Sequence, residues 1–186
     1  MRLGTWAVLL MGLGLGWAGA QTSQQPAPQG KMGGMDMGAD HSMSKPAMPA
    51  GPLKIAFGDK SAEWTPESLA ALPHKAVTVH NVHTKADETY SGVALIDLLV
   101  KLGVSAKPMG KDMALYLVAV GSDGYKAVYS LAEVNPDVHD ATVIVADSEN
   151  GKPLGADGPL KLVATRETHP ARWVRNLVAV EVLTAQ

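Results

Sequence analysis

The chain has 186 residues, of which 46% are hydrophobic but only 5% aromatic. That suffices for one domain with an ordinary core, filled by Val, Leu, Ile and Ala rather than by rings, and needing no disulfide or metal to hold it. A formal net charge of -2 excludes nucleic acid and an anionic membrane surface as main partners.

The first twenty residues, Met1–Ala20, read as a signal peptide. Arg2 supplies the charge, Leu3 to Trp17 the apolar run, and Ala18-Gly19-Ala20 the small-residue cleavage pattern. The run is shorter than the roughly 20 residues of a spanning helix. There is no cysteine anywhere, so no lipid can be attached after cleavage, and no twin-arginine pair precedes the run. The expected route is therefore the general secretory one. It delivers an unfolded chain to the periplasm or beyond, with no stable membrane anchor after cleavage. An oxidising compartment leaves a cysteine-free fold untouched.

Residues 21–52 are rich in Gln, Pro, Gly, Ser, Ala and Met, without apolar periodicity. This composition predicts a disordered linker. Order is expected over residues 53–186. Leu53, Ile55 and Phe57 alternate with Lys54 and Ala56, as in a strand. Thr65 and Pro66 open a short helix that ends before Pro73. Ala76–His83 reads as a strand. Ala94–Leu102 carries a helical stripe at Leu95, Leu98, Leu99 and Leu102, closed by Gly103. Ala114–Val120 is nearly all apolar and suits a buried strand. A turn at Gly121–Gly124 leads to a second arm, Tyr125–Tyr129. Ser130 and Glu133 form a capping-box pattern at a third helix. Ala141–Ala146, Leu160–Ala164 and Leu177–Leu183 complete the strands. About seven strands and three short helices, without strict alternation, predict a mixed α/β domain of the α+β kind.

Five passages of this stretch recur together in one family. They are Tyr90-Ser91-Gly92-Val93-Ala94-Leu95 with Asp97-Leu98-Leu99 and Gly103; Ser122-Asp123-Gly124-Tyr125; Asn150-Gly151-Lys152-Pro153-Leu154; Gly158-Pro159-Leu160-Lys161-Leu162-Val163; and Arg172-Trp173-Val174. In this order they resemble the molybdopterin-binding domain of sulfite-oxidase-type oxidoreductases, from about Leu53 to Leu183. The resemblance implies that family's mixed α/β fold in a short form, and molybdopterin as the cofactor to test for.

One departure decides the functional reading. Members that catalyse hold molybdenum through a cysteine thiolate before the Gly-Val signature. The matching stretch here, Val77-Thr78-Val79-His80-Asn81-Val82-His83, has none. A soft thiolate is what holds and tunes the metal. The leading expectation is thus an exported, non-catalytic binding module for an anionic or pterin-like ligand, or for a partner oxidoreductase. A true oxidoreductase with a non-cysteine molybdenum site ranks last.

The residues named for the ligand site are His80 and Asn81, in the vacated neighbourhood, with Arg166, Arg172 and Arg175. In the family this neighbourhood's basic residues help hold the pterin phosphate, and guanidinium forks suit phosphate and carboxylate. The alternative is a surface histidine and a solvated cationic loop, with Arg172 paired to an acid and Trp173 in the core. On a strand, His80 and His83 point to opposite faces and would not chelate one ion.

A second function class comes from the linker. Met32, Met35, Met37, Met43 and Met48 accompany His41. Thioethers with imidazole suit Cu(I), and glycines let a loop wrap it. The stretch resembles Met-rich segments of periplasmic copper-handling proteins. Met32, Met35, Met37, His41 and Met43 are the expected ligands. The alternative is a neutral linker.

Overall fold

The computed structural model describes residues 51–82 and 84–186. The expected signal peptide, the methionine-rich stretch with Met32, Met35, Met37, His41 and Met43, and His83 lie outside the described residues.

The elements run β1 (Leu53–Phe57), β2 (Lys60–Trp64), α1 (Pro66–Ala70), β3 (Lys75–Asn81), β4 (Ala86–Ala94), α2 (Leu95–Lys101), β5 (Leu115–Gly121), β6 (Lys126–Ser130), α3 (Leu131–Val134), β7 (Val143–Glu149), β8 (Lys152–Pro153), β9 (Lys161–Ala164) and β10 (Leu177–Thr184). One sheet has the order β2-β1-β10-β5-β6, with β1 and β10 parallel and the other neighbours antiparallel. The second has the order β3-β4-β7-β8, and β9 also pairs with β7. β9 takes Val143–Ala146 and β8 takes Ser148–Glu149, so the two share the length of β7. A single apolar cluster joins the inward residues of both sheets and α2, among them Ile55, Leu98, Leu117, Ile144, Leu162 and Val180.

The mixed α/β architecture is the expected one, but the described residues form ten strands where the sequence pattern suggested about seven. The additional three lack the usual signal. β2 reads Lys-Ser-Ala-Glu-Trp and lies at a sheet edge, where no apolar alternation is required. β4 begins with Ala-Asp-Glu-Thr, which reads as a turn, yet Glu88 is buried. β8 has two residues, one of them Pro153.

Local capping matches its chemistry. Thr65 Oγ1 accepts the Ser68 N–H at 3.2 Å. Ser130 and Glu133 complete a reciprocal capping box that turns the chain out of β6 into α3. Gly103, at φ +96°, ends α2 with its N–H on Val100 O and the Val104 N–H on Leu99 O.

Gly92 shows why the Tyr-Ser-Gly-Val string needs its glycine. A Cβ there would lie 2.1 Å from Val145 O and 2.5 Å from Ala146 Cα, where the β4–β7 register shifts. Only a residue without a side chain lets these backbones meet.

Candidate functional site

The segment from Thr165 to Asn176 links β9 to β10 and decides where the site lies. Three hydroxyl and guanidinium donors tie it to β6 and the turn before it. Tyr125 Oη donates to Ala171 O, and Tyr129 Oη donates to Arg172 O at 2.6 Å. Arg172 Nη1 donates to Val128 O at 3.3 Å. Trp173 is buried, and its Nε1 donates to Ala164 O at 2.9 Å.

Held this way, the segment forms one wall of a cleft of about 410 Å³. The turn residues Asp123 and Tyr125 form another wall. Asn81, Asp157, Lys161 and Trp173 lie deeper, and Arg175 stands at the side. The volume lies in the range of small-molecule sites, roughly 300–1,000 Å³.

Beneath the cleft runs a chain of polar groups. Lys161 is buried, and its Nζ donates to Asp157 Oδ2 at 2.6 Å and to Tyr90 Oη at 3.1 Å. Tyr90 Oη donates to Glu88 Oε2 at 2.8 Å. Glu88 also accepts from Asn81 Nδ2, at 2.8 and 3.0 Å, and from Thr84 Oγ1 at 2.9 Å. Tyr90 meets Trp173 edge to face, with centroids 5.5 Å apart, and Lys161 Nζ lies 5.2 Å from the Trp173 ring centre. Every member of the chain has a partner, as buried polar groups require.

The protonation states follow from these contacts. Burial pushes the Glu88 carboxyl upward, but the bonds from Asn81, Tyr90 and Thr84, with the charge of Lys161, outweigh it and hold the group below its usual value. Burial, then the bond to Glu88, raises Tyr90 far above an ordinary phenol. Glu88 is therefore an anion and Tyr90 a neutral donor. The lysine at their end supplies the compensating charge.

The residues named from sequence divide among three places. Asn81 and Arg175 share the cleft. His80 and Arg166 line a neighbouring groove of about 370 Å³ with Thr78 and Thr168. There His80 Nδ1 lies 2.9 Å from Asp87 Oδ1, and Arg166 donates to Asp140; all four side chains are largely exposed. Arg172 belongs to neither. It donates to Glu133 at 2.9 Å and to Glu167, and lies 4.6 Å from the Tyr129 ring centre. Partial burial disfavours its charge, but the bonds to those two acids outweigh this and hold it as a structural cation, whose charge is spent on the segment's anchorage.

Lys161, Asp157, Glu88 and Tyr90 were not singled out by sequence reasoning. Tyr90 and Lys161 lie inside two of the five recurring passages, and this was the available signal. Lys161 is also a charged residue between two leucines, Leu160 and Leu162.

A solved structure with a similar fold is the sulfane dehydrogenase SoxCD from Paracoccus pantotrophus, with a TM-score of 0.54 and 23% sequence identity. The match covers 70% of this chain but 37% of that one, so the chain spans little more than a third of the protein it resembles. At this identity the likeness is one of fold and carries no activity across. No family model and no curated protein matches the sequence.

The molybdenum centre implied by the sequence resemblance can be tested against the donors present. The chain contains no thiol. In the stretch that stands where the ligand would be, His80 turns to the exposed face and to Asp87, and Asn81 turns to Glu88. An imidazole on the outer face and an amide committed to a carboxylate do not make a soft, electron-rich seat. The residues do not fit a molybdenum centre, and no catalytic step is drawn through one.

Proposed function

We propose that the folded part is a binding module, not a molybdenum catalyst, and that its cleft takes a small anionic ligand. The observation that carries this reading is Arg175. Its side chain is 68% exposed at the cleft and approaches Asp157 Oδ1 at only 3.7 Å, so its donor fork is available to a carboxylate or another oxyanion. Below it the polar chain from Asp157 to Glu88 is internally satisfied, which gives the ligand a rigid floor. The signal peptide reading sets this module outside the cytoplasm, in the periplasm or beyond.

The test is ligand-induced stabilisation of the full chain. A panel of small organic anions, some also carrying amino or amide groups, is screened by thermal unfolding, with wild type beside Arg175→Ala. A ligand at 100 times its Kd stabilises by about 2.7 kcal/mol. The expected result is at least one such ligand whose effect disappears in Arg175→Ala. If no anion stabilises the protein, or if the variant responds as wild type does, the reading fails.

A second reading concerns the residues before the fold. Five methionines and His41 between positions 32 and 48 favour Cu(I) capture by this stretch, with the domain as its platform.

A further inference from the structure

The charges of the cleft indicate what its ligand carries besides an anionic group; this inference rests on the reading of the cleft as a ligand site. Four ionised groups alternate in sign along the cleft and its floor. Arg175 lies 3.7 Å from Asp157, Asp157 lies 2.6 Å from Lys161, and Lys161 reaches Glu88 through the Tyr90 hydroxyl at 3.1 and 2.8 Å. Their charges sum to zero.

Asp123 stands outside this series. It lines the same cleft, is exposed, and pairs with no cation among the described residues. Its Oδ1 accepts the Tyr125 N–H at 2.9 Å, which fixes the carboxylate and leaves Oδ2 without a protein partner among the described residues. The uncompensated charge of the cleft is therefore one negative charge. A simple anion approaching Arg175 also meets this carboxylate, and a like charge nearby disfavours it.

Backbone geometry brings the two residues to one junction. Gly121 lies between them: a Cβ there would be 2.8 Å from Asp123 Oδ1 and 2.9 Å from Arg175 O. The adjacent Ser122 N–H donates to Asn176 O at 2.9 Å, tying the turn to the segment that carries Arg175. Asp123 and Arg175 are thus mounted on one tight junction, yet they do not pair with each other. A cation and an anion that line one cleft without pairing with each other are complementary to a molecule bearing both signs.

We propose that the cleft selects a small zwitterion, with its carboxylate or sulfonate on Arg175 and its ammonium group on Asp123. Each charged group of such a ligand meets an opposite charge, whereas an anion or a cation alone satisfies one wall and opposes the other.

The experiment uses the full chain and four kinds of probe in calorimetric titration: acetate, methylammonium, a series of amino-carboxylates of increasing length (glycine, β-alanine, γ-aminobutyrate) and taurine. The expected result is one amino acid of the series, or taurine, binding at least about tenfold more tightly than acetate or methylammonium. Asp123→Asn should remove that advantage, bringing the zwitterion to within about threefold of acetate, with the unliganded melting temperature unchanged. If acetate binds as well as every zwitterion and Arg175→Ala abolishes it, the zwitterion inference is overturned and the anion-binding reading stands. If none of these probes binds but a larger anion does so through Arg175, the inference is likewise overturned. If neither the probes nor any anion binds, both readings fall.

Discussion

Replacing Lys161 by Met removes one charge and keeps most of the stem volume. The Lys161 side chain is 8% exposed and that of Asp157 is 22% exposed. Met still fills the space beside the Tyr90 and Trp173 rings, so little packing is lost. What is lost is the cation shared by Asp157 and, through Tyr90, by Glu88. Breaking one side of a buried ion pair costs about 3–5 kcal/mol, because the partner's charge remains. Asp157 keeps some water and has Arg175 at 3.7 Å, which puts the expected cost near the lower figure. A loss of about 3 kcal/mol corresponds to a fall of roughly 10 °C in Tm for a domain of this size. The measurement is urea unfolding of wild type, Lys161→Met, Asp157→Asn and the double variant at neutral pH. The coupling energy of the cycle should exceed about 1.5 kcal/mol, with the double variant more stable than additivity predicts. A Lys161→Met loss below about 1 kcal/mol, with additive effects, would refute the claim that this chain is a desolvated, interdependent network.

Three further outcomes are expected. Gly92→Ala should cost at least about 3 kcal/mol or abolish soluble expression, because its Cβ has only backbone to displace. The control Gly58→Ala, at φ +57° with nothing within 4 Å of the new atom, should cost only about 1 kcal/mol; equal effects would sink the close-approach argument. His74 bonds Asp147 Oδ2 through Nε2 and Leu72 O through Nδ1, each at 2.7 Å, and the bond to Asp147, then that to Leu72, raise its pKa above 6.5. A raised folded-state pKa gives stability that is full below the unfolded pKa and fades as pH rises through the folded one. The stability gap between wild type and His74→Gln should therefore be largest below about pH 6 and shrink towards pH 9; a gap growing with pH would contradict the assignment. Deleting residues 32–48 should abolish Cu(I) uptake, measured by competition with a chromogenic chelator, without changing the melting temperature of the domain. Retained uptake would remove the copper reading.

Local chemistry was legible in the chain itself. Thr65, the Ser130–Glu133 pair and Gly103 were readable because a cap depends on residues within one turn of each other. The Asn150-Gly151 turn was readable for the same reason: both residues have positive φ (51° and 74°), and they join β7 to β8 directly. The mixed α/β class followed from where apolar runs gave way to helical spacing. β2, β4 and β8 were not readable, since an edge position, a buried acid and a two-residue pairing leave no periodic mark. In the candidate site, Asn81 and Arg175 were named, while the groups that hold the floor were passed over.

The sequence by itself determined the helix ends, most strands and the lack of any thiolate. Only the tertiary structure decided the company each charge keeps. It sent Arg172 to Glu133 and Glu167, brought Lys161 to Tyr90 across 71 positions, and set Asp123 and Arg175 beside one glycine. The physical reason is range. Caps and turns are satisfied by neighbours along the chain. The partner of a buried charge is whichever group the folded sheets bring within about 3 Å, and side-chain spacing along a strand carries no record of it.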